Sequence, residues 1–406
     1  MKRYKYRKIW ACLMAFLLAF LPLLGGCAEW RDTGTEQARQ PSTDEESQPQ
    51  ETQPAAKTET LPEEPEEPEP ENTVVTFTAA GDNLIHNTLS FDSRQDDGSY
   101  DFTHIYAGIR DEIAGSDVAL YTQEVPLDDT VGAYPTLSAP KSVAAAMADL
   151  GFTAASLANN HMADKGAEGA RQTIAALEEN GIAAVGARDD ESEVGSYVVL
   201  EVKGVRIGLL AYTYGLNTGL GGSDWMVDRI STQKITEDVA ALRPQCDFLA
   251  VAMHWGTEYQ QTPSDGQREF AALLSSLGVD LIIGSHPHVL QPAQWIDREA
   301  GMEPTLCIYS MGNFVSGQRE QDRLLGGLLR LELEFSPEGR FIGFKSAAID
   351  GVVTHYEKGN KGFRLYMLED YTEELAARHG LHDYDLPFTL DFLTQRMAGM
   401  EASLAR

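Results

Sequence analysis

Five of the nine histidines in this 406-residue chain stand just beyond the ends of apolar, strand-like runs, in company with carboxylates and asparagines. Asp82, Asn83 and His86 follow the run at 73–80, and Glu124 follows 117–122. Asn159, Asn160, His161 and Asp164 follow 153–156. His254, Trp255 and Glu258 follow 247–253, and His286 and His288 follow 279–284. Strand ends of an α/β sheet converge on one rim, which turns such distant positions into a single pocket. Imidazole, carboxylate and amide oxygen together suit one or two divalent transition ions, Zn²⁺, Mn²⁺ or Fe²⁺, whereas Mg²⁺ and Ca²⁺ prefer sites almost wholly of oxygens. The two imidazoles around Pro287 alternate along an extended turn and can address two metals, or a metal and a phosphate. Glu124 can bridge. A pair of ions roughly 3.5–4 Å apart gives hydrolysis without a protein nucleophile, by acidifying water and stabilising charge on the transferring group.

Further strands are expected at 182–185, 196–202, 205–213, 305–310, 327–335 and 341–349, with a hairpin turning at Lys203-Gly204. In 327–335, Leu329, Leu331, Leu333 and Phe335 alternate with Leu328, Arg330, Glu332 and Glu334, which predicts one largely solvated face. Helical stripes lie at 167–180, stopped by Gly181, and at 265–277, stopped by Gly278, with weaker ones at 102–113, 139–150 and 230–242. The fold class is α/β, a mixed two-sheet sandwich flanked by helices, in one domain over 72–350 without internal repeat or linker. Residues 351–406 form a C-terminal extension expected to pack on that domain, with its best helical pattern at 388–397.

Ahead of the domain the chain changes character twice. Five basic residues in 1–8 precede an uncharged run at 9–26 that ends at Cys27, the pattern of a secretory signal. Leu24-Gly25-Gly26-Cys27 resembles the lipobox of bacterial lipoproteins, which implies cleavage after residue 26, lipid on Cys27 and a body tethered at the extracytoplasmic side of the cell membrane. An uncleaved anchor helix is the alternative reading, and it leaves the body on the same side. Residues 27–71 carry seven prolines and end in PEEPEEPEPE, so they cannot recover their ordering entropy by burial and are expected to form a disordered acidic stalk. Net charge is −30 overall, and the body after residue 71 is strongly acidic by itself, which argues against nucleic acid as a partner. Cys246 and Cys307 each enter an apolar run and are expected to be buried free thiols, although export permits a disulfide between them.

GDNLIH at 81–86, QEVPL around Glu124, NNHMADKG at 159–166, HWGTEY at 254–259, GSHPH at 284–288 and YSMGNFV at 309–315, in that order, resemble the bacterial capsule-synthesis CapA proteins. That family is associated with poly-gamma-glutamate, and its domain is similar to the calcineurin-like metallophosphoesterases. The likeness covers roughly 73–350. It implies metal ligands at Asp82, Glu124, Asn160, His254, His286 and His288, and His86 is read as a further candidate ligand from its place after the first strand. It also implies catalytic roles for Asp82, His161 and His254, with His161 near the leaving group; Asn159, Trp255, Glu258 and Asn313, from their places beside these motifs, are expected substrate contacts, with Asn313 alternatively shaping its loop. The implied partners are an anionic surface polymer such as poly-gamma-glutamate, or a phosphoester, together with a membrane synthase.

The pattern departs from the family in two places. Position 84 is Leu where the phosphoesterases carry the histidine of Asp-X-His, and Thr122 replaces the usual asparagine two residues before Glu124. Three functions therefore stand side by side: a metal-dependent hydrolase or transferase of capsule polymer, a noncatalytic assembly or binding factor, and a phosphodiesterase unrelated to capsule. Asp164 is expected to cap the helix at 167–180. Trp255 is read either as a packing anchor or as a surface stacked on substrate. His104, His355, His379 and His382 receive no functional role.

Overall fold

The structure is a computed structural model that describes residues 71–193 and 195–405. The signal segment at 1–26, Cys27 and nearly all of the stalk at 27–71 lie outside the described residues.

Strands are numbered in chain order. In the first sheet β1 (Thr73–Leu84), β2 (Val118–Gln123), β5 (Ala154–Ser156) and β6 (Ala183–Val185) run parallel. On its other side β14 (Leu325–Phe335), β15 (Phe341–Glu357) and β16 (Lys361–Met367) are antiparallel, giving the order β16-β15-β14-β1-β2-β5-β6. β13 (Asn313–Ser316) pairs with the end of β1. In the second sheet β8 (Val205–Thr213), β9 (Phe248–His254), β10 (Leu281–Ser285) and β12 (Thr305–Met311) are parallel. β7 (Val198–Val202) and β11 (Leu290–Ile296) close its antiparallel edges. A small ribbon joins β3 (Leu127–Asp128) to β4 (Ala139–Pro140). This is the mixed two-sheet α/β sandwich read from the sequence.

Period-two alternation decides what fills each side of the second sheet. Ile207, Leu209, Phe248, Ala250, Leu281 and Ile308 belong to the core shared with the first sheet, and Phe77 meets Phe248 across it at 6.4 Å between ring centroids. Leu210, Leu249, Val251, Ile282 and Cys307 face the other way. There they pack with Ile235 and Val239 of helix Thr232–Leu242 and Leu274 of helix Asp265–Ser276. Helix Gly166–Glu179 ends as expected at Gly181, whose φ of 77° lets Ile182 N donate back to Leu177 O at 2.9 Å. Cys246 and Cys307 are free and buried. No helix among the described residues is long and apolar enough to cross a membrane.

Several sequence expectations need correction. β11, β13 and β16 carry no clear strand signal in the sequence, because Pro292 interrupts the pattern of the first, the second has only four residues, and the third mixes charged and apolar side chains. β15 runs through the boundary placed at residue 350, so the last segment begins as part of the sheet rather than as a separate cover. Helix Leu390–Leu404 then packs on β11: Ala293 N donates to Ser403 Oγ at 2.8 Å, and Trp295 Nε1 donates to Leu404 O at 2.9 Å. Leu328 is buried despite its place on the polar face of β14.

His355 and His379 lie buried together, with ring centroids 5.2 Å apart. His355 Nδ1 is 2.6 Å from the Tyr371 hydroxyl, and Leu381 N donates to His379 Nδ1 at 3.1 Å. Burial pushes them down to about 4 and about 3. Below the ordinary value of 6.5 the unfolded chain binds protons that the folded chain refuses. Their contribution is therefore intact above pH 6.5 and is lost as pH falls toward 4. A His355→Gln/His379→Asn variant should be less stable than the parent at pH 7.5, with the gap in melting temperature narrowing as pH drops from 6.5 to 4.5. A gap independent of pH would contradict this.

Candidate metal centre

The C-terminal ends of β1, β2, β5, β9 and β10 meet where the two sheets touch. β1 continues past its expected end at residue 80 through Gly81 to Leu84. Gly81 permits this approach, because a Cβ there would stand 1.9 Å from Gly312 O, and Asp82 N donates to that same carbonyl at 3.0 Å. A glycine next to the first carboxylate thus lets the strands of both sheets close on it.

Around this point the sequence-designated residues gather. His254 Nδ1 is 3.7 Å from Asp82 Oδ1, and His254 Nε2 is 3.8 Å from Glu124 Oε1. His288 reaches the same two carboxylates, with Nδ1 3.6 Å from Asp82 Oδ2 and Nε2 3.6 Å from Glu124 Oε1. Asn160 Oδ1 is 2.8 Å from His254 Nε2. His286 N donates to Asp82 Oδ2 at 2.9 Å, and the His286 ring lies 4.8 Å from that of His254. Among the described residues, three sets offer ligand atoms within 4.8 Å of one another: Glu124, His254 and His286; Asp82, Glu124 and His288; and Glu258, His286 and His288. Glu124 is common to the first two, as a bridging carboxylate would be.

The donor set fits a cation and little else. Asp82 Oδ1, both oxygens of Glu124 and His286 Nδ1 are buried without a hydrogen-bond partner. Burial pushes the Asp82 carboxyl up to about 7 and that of Glu124 well above the usual range, the latter aided by neighbouring Asp82. Burial also pushes His286 down to about 4 and holds His254 and His288 well below their ordinary value. Neutral imidazoles around carboxylates that lack donors are the state from which a divalent ion is bound. His286 and His288 add left-handed backbone, at φ 91° and 60°. Each orphaned group and each such residue costs on the order of 1–3 kcal/mol, so together they rival the roughly 5–15 kcal/mol stability of a whole domain. A fold that keeps them gains something from them other than its own stability.

Neighbouring groups hold the ligands in place. His254 Nδ1 lies 2.9 Å from Ser285 Oγ, and His288 Nδ1 donates to Asn313 Oδ1 at 2.9 Å. Asn313, expected at the substrate, therefore orients a histidine, and its amide nitrogen donates to Arg323 O and Gln318 Oε1. Asn159 is likewise spent on the framework, donating to Gln123 O at 2.8 Å and accepting from His161 N at 3.1 Å. Trp255 is an anchor: it is buried, its Nε1 donates to Tyr309 O at 2.9 Å, and it has no face for substrate. His86 falls outside the three sets, with Nδ1 3.2 Å from both Leu84 O and Gly317 N. Glu258 stays exposed at the mouth.

Asp164 does not cap the following helix. Its Oδ2 accepts from His161 Nδ1 at 2.7 Å and from Leu137 N at 2.8 Å, which makes His161 and Asp164 a fixed pair beside the cluster. The Asn217 amide nitrogen lies 3.4 and 3.5 Å from the two ring nitrogens of His161. Tyr214 lays its ring 4.5 Å from that of His286. Sequence reading missed Tyr214 and Asn217, although both follow the expected strand at 205–213 and obey the same strand-end logic.

Residues 76–318, more than half of the chain, match the family described as bacterial capsule synthesis protein PGA_cap. The chain is 31% identical over 261 residues to the capsule biosynthesis protein CapA of Bacillus anthracis, covering 61% of each chain. It is 29% identical over 201 residues to the PGA biosynthesis protein CapA of Bacillus subtilis, covering 48% of this chain and 50% of that one. The matches thus span between half and six tenths of the relatives' length. Among solved structures, a phosphatase from Mycoplasma pneumoniae overlaps 70% of this chain and 95% of its own, with 12% identity and a TM-score of 0.43.

Replacing Glu124 by Gln removes the most poorly satisfied buried carboxylate. The variant should melt higher than the parent in a chelator and gain less when Mn²⁺ or Zn²⁺ is added, so that the two melting curves exchange order. Equal metal-induced gains in both proteins would refute the assignment of Glu124 as a ligand.

Proposed function

Because the chain belongs to the PGA_cap family of bacterial capsule synthesis proteins, we propose that it is a metal-dependent hydrolase or transferase acting in the production, attachment or release of an anionic surface polymer such as poly-gamma-glutamate. The observation that carries this reading is the juxtaposition of orphaned carboxylate and imidazole atoms with the His161–Asp164 pair. Asp82, Glu124, Asn160, His254, His286 and His288 would hold one or two ions. When bound, such ions supply Lewis acidity that activates water or another acceptor and neutralises charge on the transferred group.

The chain's own residues supply the rest. Facing a carboxylate oxygen, His161 Nδ1 carries the hydrogen, which leaves Nε2 to exchange a proton with the leaving group. Asp164, itself held by Leu137 N, fixes that ring as a positioning residue. In hydrolysis of a phosphoester the new bond would run from the attacking water oxygen to phosphorus and the ester P–O bond would break; His161, carrying a proton on Nε2 as well, would give that proton to the departing oxygen, while the proton lost by the water would pass to solvent, from which His161 is reprotonated. An amide would be cleaved with the same allocation of protons. Tethering at Cys27 would keep the domain on the extracytoplasmic face of the cell membrane, where polymer emerges, within reach of a membrane synthase.

A noncatalytic assembly factor is the second reading, and Leu84 favours it: with His86 outside the three sets, the set of Asp82, Glu124 and His288 contains a single imidazole. His161→Ala separates the two. It should keep bound metal and lower kcat on an aryl phosphodiester by about 10²–10⁴. Metal-independent turnover, or turnover untouched by the substitution, would reject the enzymatic reading. Palmitate labelling should depend on Cys27, and equal labelling of Cys27→Ser would reject the tether.

A further inference from the structure

One residue at the mouth of the cluster is strained without being a ligand. Tyr259 has φ 66°, a conformation that a bulky residue adopts only when its surroundings impose it. Those surroundings are specific. Tyr259 N donates to Pro287 O at 2.8 Å, the carbonyl between the two histidines of the GSHPH turn. Its ring lies 6.0 Å from that of His288. On the ring rests the guanidinium of Arg323, 3.6 Å from the centroid. Gln318 Nε2 lies 3.4 Å from the Tyr259 hydroxyl. The strain thus holds a flat platform beside one histidine of the cluster, with a permanent cation laid on it.

That cation is under-used. Arg323 Nε is buried with no hydrogen-bond partner. Its ion pair is with Glu320, from Nη2 at 3.2 Å, and the Glu320 side chain is 57% exposed. A pair whose carboxylate is this exposed contributes little and is easily exchanged for a better acceptor. A guanidinium stacked on an aromatic face is pre-organised for planar, two-oxygen anions. Arg323 is fixed from its backbone as well, since its carbonyl accepts from Asn313 Nδ2, and Asn313 orients His288. Cluster and guanidinium are therefore braced by one side chain. Glu258, adjacent to Tyr259, belongs to one of the ligand sets, where a bound cation would offset its charge.

We propose that Tyr259 and Arg323 form a recognition element for a second oxyanion of the substrate, a carboxylate or phosphate distinct from the group that reacts at the cluster. The substrate class is thereby one with at least two anionic groups near each other, as in a polymer of acidic units or a phosphoester with an acidic neighbour. The inference rests on the proposed function for where the reacting group sits; the chemistry of the guanidinium stands independently of it.

The test uses two probe pairs with the full-length, Mn²⁺-loaded protein. The first is a γ-linked glutamate hexamer and its fully amidated counterpart, compared by equilibrium binding. The second is a pair of aryl phosphodiesters with and without a carboxylate, compared by KM. The parent should prefer the anionic member of each pair by about tenfold, the scale of one charge-assisted hydrogen bond. Arg323→Gln should collapse that preference toward one, Arg323→Lys should restore it only in part, and Tyr259→Ala should lower it while Tyr259→Phe keeps it. Preference retained by Arg323→Gln, or absent from the parent in both pairs, overturns the proposal. No binding of either hexamer, with the preference intact in the diester pair, refutes the polymer reading and upholds the recognition element.

Discussion

Two carboxylates, Asp82 and Glu124, are fully buried at the junction of two sheets, and three of their four oxygens find no donor. Much of the molecule's organisation follows from accommodating them. Water cannot screen them, and no lysine or arginine is paired with either among the ion pairs of the described residues. The fold instead surrounds them with imidazoles that burial keeps neutral. Such an arrangement is poor for a protein without a bound cation and good for one with it. Binding of an ion would consequently be coupled to folding, and the ion would act as part of the core that joins the sheets.

The same junction explains why donors come from so many segments. Each parallel strand delivers its last residues, or those just after its end, to a common rim, and the two sheets present their rims to each other. Backbone contacts make that meeting rigid: Asp82 N to Gly312 O, His286 N to Asp82 Oδ2, and Tyr259 N to Pro287 O. The left-handed residues at 259, 286 and 288 are held by this mesh. Rigidity of the turn matters because the two imidazoles on either side of Pro287 must face different partners, which a relaxed turn would not ensure.

Most of the strand framework and the gathering of Asp82, Glu124, Asn160, His254, His286 and His288 could be read from the chain, because apolar runs and the polar clusters behind them are local signals. What could not be read depends on long-range packing. Asp164 looked like a helix cap from its neighbours, yet Leu137, 27 residues earlier, offers its backbone N–H and turns the carboxylate toward His161. Asn313 and Asn159 stand beside the site motifs, yet their partners are backbone groups and side chains supplied by other segments, His288 among them. Trp255 could be read either way, and only the position of Tyr309 O decides for packing. Arg323 gave no signal, since nothing in the sequence tells that its loop returns over Tyr259. Misplaced limits have the same origin: β1 extends to Leu84 because Gly81 admits the Gly312 carbonyl and β13 pairs with the strand's end.

The C-terminal helix has a consequence for solubility. β11 is the outermost strand of its sheet, and an outermost strand exposes unpaired amides to which another polypeptide can add. Pro292 has no amide hydrogen to offer, and Ser403 occupies that of Ala293 while Leu404 ties down Trp295. A chain shortened before residue 390 would leave this border uncapped. Its characteristic failure would be self-association strand to strand.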